Sequence, residues 1–556
     1  MSPPGPLRAE RPRITKLNPA TLEKVGEVEE SSPEDIPLFL SRAREAQAEW
    51  VRLPIKRRLQ VLQGVQAHIA ANLDEFARTI CEETGKPRLE ALNADLLSSL
   101  SAGKYSMDEM KVLFRPRRLD FGFLGLPMRY LGRSSYIQPR PVGVVGVVAP
   151  WNYPFGIPFS QAVMAVAAGN AVILKPSSET PLTALRIQEA FRAGGIPEHL
   201  VQVVVGPGRT VGNALITSGV DRIIFTGSTE VGRKVMEMAA QRLTPVTLEL
   251  GGKDPFIVFD DADLERAADG AVWGAFVNAG QTCVCVKRIY VQEKLYPAFL
   301  EAFKQKVSTL RLGYGWDDPA VSMGPLMSEA AVREMEAHVA RAIEQGGEVL
   351  VGGRRRADLR GHFFEPTAIV NVPQDADVVQ KEIFGPIVAI LPFRTEGEAV
   401  TLANDCPFAL AGSVWTSDLR KGRRVAEAIS SGTVAVNNVA YTYGLASTPW
   451  GGKGESGFGR THGDFGFWEL MEPHHVHMDK GRFRREIWWS PYDAEGTALS
   501  KDLIELAFRG RYGLAASVFR RARKRLKGRR PSIGSSSGPE APPSEQASRP
   551  PEGTRR

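Results

Sequence analysis

The sequence predicts a parallel, doubly wound α/β fold on two observations. Short β-branched runs recur at GVVGVVAP (143–150), NAVILKPS (170–177), LVQVVVG (200–206) and DRIIFTGS (221–228). Stretches of helical spacing, 181–193 and 208–217, lie between them. Strands regularly separated by helices need crossover connections, and these generate a parallel sheet. Upstream, residues 34–79 read as helix, with Ile36, Leu40, Ala43 and Ala46, then Leu59, Leu62, Val65 and Ile69, at helical spacing. A second alternating series follows residue 283: a strand at RIYVQE (288–293), a helix at 295–310, and strands at 348–351 and 367–372. Beyond Pro491 the pattern fails, and the Pro-, Ser- and Gly-rich segment 531–556 is expected to be disordered.

Length and charge narrow the classes of function. The 556 residues suffice for two or three domains with a large core. No apolar run approaches the ~20 residues that cross a bilayer. Four cysteines in such a length point to a reducing, cytoplasmic setting rather than a disulfide framework. Residues from Lys480 onward carry 18 Lys/Arg and 8 Asp/Glu, so the net +7 divides into a tail of +10 and a body of −3. A mildly acidic body argues against a nucleic-acid-binding domain.

Three segments carry candidate chemistry. NAGQTCVC (278–285) brings Cys283 and Cys285 together without the further Cys or His ligands that a metal site needs. The polar, Gly-containing approach to Cys283 suits a loop that delivers a thiol to a cleft, while Cys285 is assigned to the following strand. The plainer reading, two small buried fillers, remains open at this point. Glu249, in LELGGK, is a carboxyl in apolar surroundings whose pKa burial would raise towards general-base use; a turn-capping Glu is the alternative. Asn152, in the Pro-bracketed APWNYP, could donate to an oxyanion or merely stabilise a turn. FTGSTEVG (225–232) runs from strand into helix and offers backbone N–H groups to a phosphate, although its G-x-x-x-x-G spacing is a weak signal.

APWNYPF, ILKPSSETP, FTGSTEVG, LELGGKDP, NAGQTC, KEIFGPI (381–387) and PWGGKGESGFGR (449–460) stand in the order of the signature blocks of the aldehyde dehydrogenase superfamily, which this sequence resembles over residues 15–480. The resemblance implies a Rossmann-type cofactor domain (1–122 and 141–250), an α/β catalytic domain (251–447) and bridging segments (123–140 and 448–480) that contribute an oligomerisation hairpin. A basic amphipathic extension (481–530) and the tail (531–556) follow. The activity implied is NAD- or NADP-dependent oxidation of an aldehyde to its acid, in a homodimer or homotetramer. Cys283 would be the nucleophile, Glu249 the base that activates water, and Asn152, with the Cys283 backbone N–H, the oxyanion donor. Trp151, Lys175, Ser178, Gly227, Ser228, Gly232, Glu382 and Phe384 would line the cofactor site, which calls for no metal.

Two positions depart from the family pattern. Ser178 stands where NAD-preferring members often place a Glu, so NADP is expected to be accepted. Thr461 stands where many relatives carry a proton-relaying Glu. The stretches Tyr153–Phe159 and Phe276–Val277 read as an apolar tunnel without Arg or Lys, which suggests an apolar aliphatic or aromatic aldehyde. Succinate semialdehyde is the alternative substrate, and a non-catalytic scaffold the alternative class. The helical segment 503–526 with its basic flank suggests peripheral contact with the inner membrane surface, or a helix docked on the protein itself.

Overall fold

The structure, a computed structural model, describes residues 11–122, 128–129, 131–483 and 485–527. These fall into two compact units, residues 11–116 with 138–474 and residues 117–137 with 475–527. The tail 531–556 lies outside the described residues.

In the first unit, Val144–Val148, Ala171–Lys175, Val201–Val203, Arg222–Thr226 and Val246–Glu249 pair in parallel, and the short Gly457–Phe458 adds antiparallel to the edge. The chain builds outward from Val144–Val148 through Ala171–Lys175 to Val201–Val203, then returns to place Arg222–Thr226 on the other side. The order of strands therefore reverses between Val144–Val148 and Arg222–Thr226. In open α/β sheets, ligands bind at such a reversal, outside the carboxyl ends of the strands. These strands are almost wholly buried, which is why they read as continuous apolar runs rather than alternating ones.

A second sheet of seven strands runs Glu348–Val351, Thr367–Val370, Ile387–Phe393, Val286–Gln292, Asp254–Val258, Ala411–Trp415 and Thr433–Val436, with only the first antiparallel. Only four residues, Leu250–Lys253, separate the end of Val246–Glu249 from the start of Asp254–Val258. Asp254 is in turn registered with Val286. That short link brings the end of one sheet to the start of the neighbouring strand in the other.

The predicted helix over 34–79 is interrupted. Ile36–Arg52, Ile55–Ala71 and Leu73–Thr84 are separate helices, broken at Pro54, which has no N–H to donate, and at Asn72, whose φ of −123° is not helical. The expected bridging segments also change. Residues 448–474 belong to the first unit, because Gly457–Phe458 is part of its sheet. The second unit holds Arg117–Arg118, paired antiparallel with Ile137 and Tyr136 of Arg133–Pro141, and the helices Ala494–Phe508 and Ala515–Lys527. Ser135 Oγ and His477 Nδ1 lie 2.7 Å apart there.

Candidate active site

Asn152 and Ser228 follow the two strands that flank the reversal, while Lys175 and Glu249 end the strands beside them. Cys283 reaches the same place from the second sheet, on the loop before Val286–Gln292. Asn278 and Ala279 adopt left-handed φ of 53°, and Gly280 has φ of 72°. Non-glycine residues persist in that region only where their surroundings hold them, often at functional sites.

The surroundings are specific. Glu90 accepts the Asn278 N–H on both carboxylate oxygens at 3.1 Å. Gln281 donates to the Asn278 and Pro325 carbonyls and accepts from the Met327 N–H. Lys287 Nζ donates to the Gly280 carbonyl at 3.0 Å and to the Gly385 carbonyl. The Asn152 side chain donates to the Gln281 carbonyl at 3.0 Å, and the Asn152 carbonyl accepts from Lys86 Nζ and Asn278 Nδ2. Lys86 is itself buried in an ion pair with Asp95 at 2.8 Å. Asn152 and the Cys283 loop thus share one hydrogen-bonded frame.

The paired glycines of LELGGK have a steric cause. A Cβ on Gly252 would lie 2.1 Å from the Cys283 carbonyl oxygen, and one on Gly251 would lie 2.4 Å from the Glu382 carboxylate. Gly252→Ala is therefore expected to displace the Cys283 loop and lower kcat by ~100-fold or more while the protein remains folded. Steady-state kinetics together with a thermal melt check this.

Burial sets the titration of the site. It pushes Glu249 up to about 8, against the opposing hydrogen bond from Thr461 Oγ1 at 3.2 Å. Burial also raises the Cys283 thiol well above its ordinary value, with the nearby Asp254, Glu249 and Glu382 adding to the shift. Cys283 nevertheless retains part of its surface. Cys285 is fully buried in the turn before the strand, its N–H donating to Thr282, and not on the strand as expected from the sequence. An unperturbed, solvent-accessible nucleophile is not what Cys285 offers.

The residues expected to hold a cofactor stand as follows. Ser228 caps the helix Thr229–Ala240, with Oγ accepting from the Val231 N–H. Gly227 donates its N–H to the Glu249 carbonyl. Gly232 packs on Leu250, where a Cβ would lie 2.5 Å from the side chain, so it permits close helix packing. Burial holds the Lys175 amine down to about 8. Ser178 Oγ donates to the Gly206 carbonyl, and neighbouring Glu179 pairs with Lys16 at 3.2 Å. Glu382 accepts the Gly252 N–H, and Trp151 and Phe384 meet edge-to-face at 5.5 Å. A helix N-terminus after the strand at the reversal, with a buried amine ending a strand of the same sheet, fits a dinucleotide.

The expected tunnel lining needs correction. Phe155 and Phe159 are fully buried and stack at 5.2 Å, and Phe159 continues the stack onto Phe191 at 5.4 Å. Phe276 packs on Phe303 in the core of the second sheet. An apolar run that opens a buried helix, Gly156–Ala167, fills a core before it lines a channel. Residues not singled out from the sequence stand at the thiol instead. Cys283 packs with Tyr443 against a cluster of Val284, Leu410, Ala411 and Trp450. Tyr443 meets Trp450 at 5.2 Å and His462 at 4.7 Å, and burial lowers His462 to about 4.

Comparison with known proteins agrees with this geometry. The model of the Aldehyde dehydrogenase family matches residues 7–476. The chain is 37% identical over 460 residues to the succinate-semialdehyde dehydrogenase [NADP(+)] GabD of Escherichia coli, covering 83% of this chain and 93% of that protein. It is 35% identical over 495 residues to the 4,4'-diapolycopene aldehyde oxidase of a Methylomonas species, covering 89% and 91%. Betaine aldehyde dehydrogenase from Staphylococcus aureus, solved with NAD+, superposes with a TM-score of 0.80 at 34% identity, covering 86% of this chain and 96% of that one. The chain belongs to the aldehyde dehydrogenase family, NAD(P)-dependent oxidoreductases that act on the aldehyde group.

Proposed function

We propose that the chain oxidises an apolar aliphatic or aromatic aldehyde to its acid through a covalent intermediate on Cys283. Its Sγ adds to the carbonyl carbon while the partly exposed thiol gives its proton to solvent, forming a thiohemiacetal. The second N–H of the Asn152 amide and the Cys283 backbone N–H receive the oxyanion, an arrangement that typically contributes ~3–4 kcal/mol. Bound NAD(P) supplies hydride acceptance. Ionised Glu249 takes a proton from water, whose oxygen attacks the thioester carbon; the C–S bond breaks and the acid leaves.

The observation that carries the substrate reading is the aromatic setting of Cys283 against Tyr443 and Trp450, where the nearby titratable side chains are the carboxyls of Asp254, Glu249 and Glu382. Three neighbouring cations are already engaged: Lys86 by Asp95 and the Asn152 carbonyl, Lys287 by two carbonyls, and half-buried Arg460 by the Gly452 and Gly459 carbonyls. The amine of buried Lys253, next to Gly252, makes no hydrogen bond among the described residues, but burial holds it well below its ordinary value and so favours the uncharged form. A substrate carboxylate would meet cations that are engaged or an amine that burial disfavours as a cation, and burying an unpaired charge is costly. The two relatives differ on this point, since one is named for succinate semialdehyde and the other for diapolycopene aldehyde. A panel of hexanal, benzaldehyde and succinic semialdehyde tests it. The apolar aldehydes are expected to have kcat/KM at least ~10-fold higher, and a preference for succinic semialdehyde overturns the reading.

NADP acceptance belongs to the same proposal. The hydroxyl of Ser178 brings no charge to the position, and Glu179 is neutralised by Lys16. A kcat/KM for NADP more than ~100-fold below that for NAD contradicts it. We further propose a cytoplasmic homo-oligomer, dimer or tetramer, assembled through sheet edges of the hairpin strands.

A further inference from the structure

The second unit has a cleft of its own, about 900 Å³ in volume, between the helices Ala494–Phe508 and Ala515–Lys527 and the segments around Leu131 and Ile487. Leu131, Ile487, Trp488, Leu503, Phe508 and Phe519 form much of its wall. Trp489, Tyr492 and Tyr512 stand exposed nearby, Tyr492 at 81%. The loop that carries Trp488, Trp489 and Tyr492 is held by buried Arg525, which pairs with Asp493 at 2.7 Å and donates to the Ile487, Trp489 and Pro491 carbonyls. The aromatic side chains are therefore presented by a clamped loop.

Charge identifies the occupant. Helix Ala515–Lys527 carries six Lys/Arg and no Asp/Glu. Arg521, Lys524 and Arg525 pair with Asp502, Glu495 and Asp493. Among the described residues, Arg520, Arg523 and Lys527 have no such partner, and Arg523 and Lys527 line the cleft itself. The segment 528–556 fits the cleft poorly, because it carries five Arg against three Glu and shares the sign of the rim. A second copy would bring the same positive rim to it. Apolar side chains, interfacial Trp and Tyr, and unpaired cations on one face together match an anionic bilayer surface: rings settle at the headgroup level and basic residues meet phosphates.

We propose that this cleft docks the protein on an anionic phospholipid bilayer, with Trp488, Trp489, Phe508 and Phe519 entering the headgroup region and Arg520, Arg523 and Lys527 meeting lipid phosphates. No helix among the described residues is long and apolar enough to cross a membrane, so the contact is peripheral. Docking of this kind requires no particular aldehyde.

Co-sedimentation of the full chain with vesicles of phosphatidylcholine, with and without about 30% phosphatidylglycerol, tests it. Binding is expected only with the anionic lipid, weakened by salt and unchanged by millimolar inorganic phosphate. The triple variant Arg520→Gln, Arg523→Gln, Lys527→Gln should bind roughly 30-fold more weakly or worse, while its turnover of a water-soluble aldehyde stays at the wild-type level. Brominated phosphatidylglycerol should quench tryptophan emission in the wild type, and less so in Trp488→Phe, Trp489→Phe. Absence of binding to anionic vesicles, equal binding by the triple variant, or displacement of the vesicles by a single-stranded oligonucleotide overturns the proposal.

Discussion

Replacing Cys283 with Ala should lower aldehyde oxidation by at least ~10⁴-fold, because the covalent route loses its only nucleophile. Cys285→Ala should leave kcat within about 3-fold. Its sulfur is fully buried, 3.9 Å from the Val277 carbonyl, and deletion of one buried sulfur is a packing change. The pair thus separates a reacting thiol from a structural one two residues away. Iodoacetamide should inactivate in step with alkylation of Cys283, followed by peptide mapping. Equal loss in the two Ala variants would contradict the assignment.

The second large effect concerns Glu249. Burial pushes its carboxyl up to about 8, so the ionised base is a minority at neutral pH and grows as pH rises through that value. Acyl-enzyme hydrolysis should therefore climb with an ascending limb near pH 8. Glu249→Gln should flatten the limb and slow the step by ~10²–10⁴-fold. Thr461 donates to the Glu249 carboxylate and so favours the charged form. Thr461→Val removes that donor, and the limb should move to higher pH with little change in KM. A merely structural role for Thr461 would lower the rate at every pH and leave the limb in place.

These effects rest on residues of unequal legibility in sequence. The strands of the first sheet and the helix Pro181–Ala193 are evident because burial on both faces makes apolar runs and crossovers demand helices between them. Glu249, Cys283 and Asn152 were marked by the polar or glycine-rich interruptions that end those runs. The frame around them was not legible. Lys86 precedes the short helix Arg88–Glu90 and Asp95 lies in the π-helical segment Ala91–Leu97, well over a hundred residues from the Cys283 loop, and nothing in the spacing of Lys86, Glu90 and Asp95 distinguishes them from surface charges. Tyr443 and Trp450 are close in sequence, but only the fold brings them to Cys283. The tunnel reading of Tyr153–Phe159 failed because an apolar run indicates burial without indicating what it is buried against. Thr461 departs from the family pattern, and its contact with Glu249 gives that departure a physical role.

The same asymmetry holds for the C-terminal helices. Their periodicity and basic flank were visible, whereas the cleft between them and the Arg525 clamp on the aromatic loop depend on tertiary contacts. Charge pattern alone admits both a membrane-facing helix and a self-docked helix.

The central claim, that Cys283 carries the substrate carbon and Glu249 releases it, is tested most directly by mixing Glu249→Gln with aldehyde and cofactor and digesting the quenched protein. The account predicts a burst of reduced cofactor close to one per active site, with the acyl mass on the peptide that holds Cys283, lost on treatment with hydroxylamine. A burst without an adduct, or an adduct confined to another residue, would contradict it.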